Sequence, residues 1–239
     1  MNKLLIPLLI LLSPFLAIAE ISEEAQRVID AYVEATGGFE NKSAVESIVF
    51  LGNYDMPMQG IKAPVTLYMK KPTKISMTID MPNIGQIRSG YNGVKGWELN
   101  PIVGFRNIEG TELEQLHKQA SIFPEVDIKS HYIKATRMED DKEGNIVLEM
   151  ISKNNMRETW YFDPETDLLK KTKLMIDAGV QGSFPVTITV DEYQQVENVL
   201  LPFLTTTSNP AFSVSIKVDK IELNSEIADS LFDPPAVPQ

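Results

Sequence analysis

The chain has 239 residues, no cysteine, and 33 acidic against 22 basic side chains, for a net charge of −11. The lack of cysteine excludes disulfides, thiolate metal sites and a lipidated N-terminal cysteine. The acidic balance repels phosphate backbones and anionic head groups within a Debye length of ~8 Å, so no nucleic-acid partner is expected.

Residues 1–19 read as a secretory leader. Lys3 supplies the charged start, residues 4–16 are almost wholly apolar, and Ala17-Ile18-Ala19 is a small-residue cleavage pattern. The run is short and broken by Pro7 and Pro14, which argues against a membrane anchor. Cleavage after Ala19 would leave residues 20–239 as one soluble periplasmic domain of net charge −12, Lys3 having left with the leader.

Ser22 suits a helix N-cap, with Glu23 and Glu24 at the positive end of the helix dipole. Ala25, Val28, Ile29, Tyr32 and Val33 then form one apolar stripe at helical spacing, and Gly37-Gly38 ends it. From Val45 onward the period becomes two. Val65/Leu67/Met69, Ile75/Met77/Ile79, Ile146/Leu148/Met150, Val186/Ile188/Val190 and Phe212/Val214/Ile216/Val218 alternate with polar partners. Turn signals fall between them at Lys71-Pro72, Asn92-Gly93, Glu143-Gly144-Asn145, Asp163-Pro164, Gly179 and Gly182. The fold class is therefore mainly β (α+β): an incomplete antiparallel β-barrel of about eleven strands with an N-terminal helix and a helical lid. The lid is expected over residues 111–122, from a Thr111-to-Glu114 capping box with Leu113, Leu116 and Ala120 following. A short turn is expected near residues 125–130, and another at residues 225–230 before Phe232.

In the stretch GYNGVKGWELNP (residues 90–101), Asn92-Gly93 predicts a type I′ hairpin turn with Trp97 and Leu99 on the return strand. Their side chains face either packed core or a cavity. Leu67, Met69, Ile75, Met77 and Ile79 are the other candidates for cavity lining, since methionine suits permissive apolar surfaces. Met56-Pro57-Met58 and Met81-Pro82 fall at strand ends, as exposed loops or as a rim.

Catalytic chemistry finds little support. His117 and His131 lie on and beyond the lid without metal-ligand spacing, and no G-x-S-x-G elbow exists. Acidic pairs such as Asp140-Asp141 and Asp191-Glu192 sit at turns or strand ends, and Glu158 and Asp163 flank Trp160 without a partner base. The reading is a non-enzyme with no metal and no cofactor.

AYVEATGG (residues 31–38), YNGVKGWELNP (91–101), ETWYFDPETDLLKKTKLMID (158–177) and ELNSEIADSLFDPP (222–235), in this order, resemble the LolA-like superfamily of lipoprotein-sorting proteins. The resemblance implies an open barrel with helices over one mouth. Its implied activity is holding acyl chains of a lipid or an acylated lipoprotein, with a membrane-protein partner for loading or release. The chain departs from the dedicated lipoprotein carrier in being longer and more acidic, and the resemblance assigns that carrier's gating arginine to neither Arg88 nor Arg106. An envelope sensor that binds protein through the same fold is the alternative, and a sterol-like or polyprenyl ligand would suit the same cavity. The tail at residues 233–238 reads as a frayed polyproline end.

Overall fold

The computed structural model describes residues 20–177 and 182–236; the expected leader, Gly179 and the end of the Pro-rich tail lie outside the described residues. Helix α1 (Glu23–Ala35) starts at Ser22, whose side chain accepts from the Ala25 N–H, and it buries Ala25, Ile29 and Val33 as the stripe requires. A second helix, α2 (Gly38–Ser43), follows Gly37 at once, where a glycine stop alone was expected. Gly37 has a positive φ, and a β-carbon there would collide with the backbone of Asn198, so α1 can turn into α2 only through glycine.

Thirteen strands follow among the described residues, two more than the alternation suggested. The first six are β1 (Ser47–Met56), β2 (Ile61–Lys70), β3 (Lys74–Met81), β4 (Gly85–Tyr91), β5 (Gly96–Asn100) and β6 (Gly104–Ile108). After helices α3 (Gly110–Gln119) and α4 (Ile128–His131) come β7 (Tyr132–Arg137), β8 (Ile146–Ser152), β9 (Arg157–Phe162) and β10 (Leu169–Asp177). The last three are the long strands β11 (Ser183–Val196), β12 (Val199–Asn209) and β13 (Phe212–Leu223).

All strand pairings are antiparallel in one sheet of order β6-β5-β4-β3-β2-β1-β13-β12-β11-β10-β9-β8-β7, and a single parallel bridge joins Ile21 to Ala135 on the outer side of β7. Each strand pairs with its sequence neighbour except at two points. β1 pairs with β13, bringing the two ends of the β region together, and β6 and β7 are the edge strands, β7 being met on its outer side at Ala135 by residues 20–22. The barrel therefore stays open, and residues 109–131 bridge the two edges.

The sequence expectation for the lid start is corrected here. The helix begins at Gly110 after Glu109, which makes no side-chain cap, and it ends at Gln119. Thr111 therefore lies inside the helix, and the capping box does not form. α4 and a 3-10 turn at Asp229–Leu231 stand where the two short turns were expected.

The hairpin at Asn92-Gly93 is also not a two-residue type I′ turn. Only Gly93 of the pair has positive φ, and the Asn92 side chain accepts from the N–H groups of Val94 and Lys95, giving a four-residue loop.

Trp97 and Leu99 point to the convex face, which corrects their expected place among the cavity-lining residues. Register carries Trp97 across to Gly90, Ser76, Tyr68 and Val49, and paired residues share a face. Trp97 is fully buried, and its indole N–H donates to the Phe232 carbonyl at 2.8 Å. A buried indole needs such an acceptor. The covering segment, residues 224–236, is a strap. Ser47 donates to the Ser225 carbonyl, and Lys70 and Lys74 reach Asp229 at 2.8 and 3.1 Å. Hydrogen bonds from Lys70 and then Lys74 hold the Asp229 carboxyl below its usual range. These contacts therefore persist above the ordinary carboxylate value, ~3.9, and are lost only as pH falls through the lower folded value.

The β1–β13 seam depends on Gly52. Register shifts there, and a methyl group at Gly52 would collide with the carbonyl oxygen of Lys217, a backbone atom unable to swing aside. Gly52→Ala should cost roughly 1–3 kcal/mol, on the scale of forced overpacking, measured by urea unfolding; an unchanged midpoint would mean the seam can relax.

Candidate functional site

The concave face gathers the inward residues of β1, β2, β12 and β13. Phe50 pairs with Leu67 and Ile48 with Met69, while β13 adds Ile216 and Val218. Ile122 and Phe123, just past α3, roof this surface, and Tyr32 of α1 and Lys42 of α2 close one end. The result is a cavity of about 350 Å³ lined also by Val65, Leu200, Leu201, Pro202, Thr205, Gly52 and Glu125.

Leu67 and Met69 line this cavity. Ile75, Met77 and Ile79 share their face one strand over, paired with Met69, Leu67 and Val65. Ile79 is buried with Ala63 and Val65 in an adjoining apolar cluster that also takes in Met77 and Ile216. Sequence reading missed the β12–β13 wall and the Ile122-Phe123 roof. Phe212/Val214/Ile216/Val218 was visible as a strand, but nothing in it showed that it would face Leu67.

The polar end of the cavity was also missed. Lys42 and Glu125 form an ion pair of 2.5 Å, both groups buried. The Lys42 ammonium also lies 4.9 Å from the Tyr32 ring centre and 4.8 Å from that of Phe123, a cation–π sandwich. Burial, followed by the nearby Glu125 and Tyr193, pushes the Tyr32 hydroxyl well above its ordinary value, so it stays neutral. Lys42 lies in a helix of six residues with no amphipathic signal, so only the fold could reveal it.

The lid helix α3 rests on Gly96. A β-carbon at that position would press on Leu113 and Leu116 at 2.8 and 3.0 Å, so glycine lets the helix approach the sheet. None of the ten residues of α3 is fully buried; polar contacts hold it at both ends. Arg106 of β6 bridges Glu98 of β5 to Glu112 of α3, donating to Glu112 at 2.6 and 2.7 Å. Hydrogen bonds to Glu112, only partly offset by desolvation, raise the Arg106 pKa further. Toward the other end, Lys118 pairs with buried Glu158, which also accepts from Tyr132 at 2.6 Å and Trp160 at 3.1 Å. Gln115 links to the Met175 carbonyl and the Asp177 N–H of β10. His117, on the exposed side of α3, hydrogen-bonds Tyr91 through Nδ1 at 3.0 Å.

Glu158 is thus a fastening point for the lid, and Asp163 organises a turn by accepting from the Glu165 and Thr166 N–H groups. Among the described residues, no group of three or more His, Asp or Glu could hold a metal ion, and no helix is long and apolar enough to cross a membrane.

No protein-family model matches the chain, and no curated protein sequence does. Solved structures do. The chain is similar to a DUF1329 family protein from Desulfovibrio piger, with TM-score 0.62 and 12% identity over 87% of this chain and 96% of that one. It is similar to a putative outer membrane lipoprotein-sorting protein domain from Vibrio parahaemolyticus, with TM-score 0.59 and 14% identity over 88% and 97%. A LolA superfamily protein from Nitrosomonas europaea matches with TM-score 0.58 and 10% identity, again over 88% and 97%. The chain has a LolA-like fold. At these identities the likeness extends to fold alone.

Removing one member of the Lys42–Glu125 pair leaves a buried charge without its partner. Lys42→Met should therefore cost ~3–5 kcal/mol, with most of it recovered in Lys42→Met/Glu125→Leu, read by urea unfolding. A single variant as stable as the native protein would show that water reaches Glu125.

Proposed function

We propose that this half-barrel is an exported binding protein that holds an acyl chain, of a lipid or a lipidated protein, in its concave cavity. The observation carrying this reading is the apolar cavity of about 350 Å³ under a segment that fills the open side of the barrel. That volume is at the lower end of the ~300–1,000 Å³ of small-molecule pockets. It corresponds to about a dozen heavy atoms at ~30 Å³ each, one chain rather than several. Each buried methylene contributes ~0.8 kcal/mol, so such a chain is retained without any specific polar contact.

Leu67 and Met69, with Phe50 and Val218 facing them, are the proposed contacts, and Ile75, Met77 and Ile79 extend the surface beside them. Trp97 and Leu99, on the convex face, are outside the proposed site. The cavity contains polar groups already engaged with one another, Lys42 with Glu125, which suits binding rather than catalysis. Release follows from the construction of the lid. α3 is fastened mostly by ion pairs and hydrogen bonds with little buried apolar surface, so lifting it exposes little to water. The expected leader places the protein in the periplasm, where a lipid crossing water needs such a cover.

Native mass spectrometry of the protein purified gently from its own periplasm should show one lipid-sized adduct per chain. Leu67→Glu should lose the adduct and keep its circular dichroism spectrum. A bare mass, with and without added lipid, would sink the reading and favour a protein-binding sensor.

A further inference from the structure

Four hairpins in unbroken spatial succession turn at one end of the strands, β12–β13, β1–β2, β3–β4 and β5–β6, while the β8–β9 turn lies farther along the same end. Their tips, residues 209–212, 56–61, 81–85 and 100–104, each contain a proline and no charged residue, in a chain of net charge −11. Three of them expose large apolar side chains. Met58 is 66% exposed, Ile102 74% and Val103 73%, with Ile84 beside them at 39%. The turns at the opposite edge each carry a charge, Lys71, Lys95 and Glu197. The uncharged tips are therefore confined to one stretch of one end, from β12 to β6; beyond it, the β8–β9 turn at the same end carries Lys153.

The rim also connects to the cavity. Val65 and Ile216 line the cavity and belong to the same apolar cluster as Met81, which begins the β3–β4 tip. A continuous apolar trail thus runs from the proposed binding site to this edge.

We infer that this rim seats on an uncharged phospholipid surface, with the hairpin tips entering the head-group layer. The inference rests on the proposed lipid-binding reading and names where the lipid enters and leaves. Successive tips stand two strands apart, ~9.5 Å, so the four span roughly 30 Å as separate prongs. A protein partner would need a continuous complementary surface of ~800 Å² on each side, whereas prongs sink separately into a soft layer. The charge pattern agrees: an acidic body is repelled by anionic head groups, and the uncharged stretch formed by the four tips can meet a zwitterionic one.

Co-flotation with phosphatidylcholine vesicles tests this. The native protein should float with the vesicles, and added salt should leave the bound fraction unchanged, because no ion pairs are involved. Ile102→Glu/Val103→Glu, at an exposed tip that tolerates polar residues, should bind at least ~10-fold less with an unaltered thermal melt. Val94→Glu at the opposite edge should float like the native protein. Leu67→Glu should do so too, so that loss of lipid retention in the cavity is read separately from loss of membrane contact. Failure of the native protein to float, or undiminished flotation of Ile102→Glu/Val103→Glu, would overturn the inference and leave the tips to a protein partner.

Discussion

That β6 and β7 do not pair with each other governs the rest of this molecule. A sheet that curls but does not close leaves a slot, and exposed strand edges are a liability unless something covers them. Residues 109–131 run from one edge to the other and do the covering. Because this cover is a separate segment and not another pair of strands, the concave face keeps an interior cavity where a closed small barrel would fill with side chains. Polar contacts fasten the cover to its surroundings: Arg106 with Glu98 and Glu112 and Lys118 with Glu158 where it meets the sheet, and Lys42 with Glu125 where it meets α2.

The two faces of the sheet are used differently. On the convex side, Trp97 is sealed under the C-terminal strap and Asp229 is held by two lysines, so the part of that face under the strap is packed. On the concave side, Leu67, Met69 and their neighbours on β13 meet a roof that touches them only in part. Packing on one face and incomplete filling on the other allow a stable scaffold to carry an adaptable site. Gly52 and Gly96 set the two close approaches this needs, strand to strand at the seam and helix to sheet at the lid.

Much of the architecture was legible in the residues. Ser22 and the stripe from Ala25 to Val33 specified α1, and period-two alternation specified most strands and the antiparallel class. The reading failed where local signals compete with context. The Thr111-to-Glu114 pattern has the form of a capping box, yet the chain enters the helix through Gly110 after Glu109, so the box lies two residues inside. Asn92-Gly93 marks a turn correctly, but the Asn92 side chain satisfies two N–H groups and stretches it to four residues. Helix α2 is too short and too polar to carry a periodic signal at all.

By itself the sequence determined which residues alternate, where the chain turns, and that Trp97 and Leu99 share one face while Glu98 takes the other, because a strand's side chains alternate by covalent geometry alone. It could not determine which face is inside. That is decided by pairing across long separations, β1 with β13 and the lid with β9 and β10, and by a strap more than a hundred residues away that supplies the acceptor for the Trp97 indole. The Lys42–Glu125 pair belongs to the same class: two charges 83 residues apart become a buried contact only when the helices and the roof converge, and no local pattern encodes that distance.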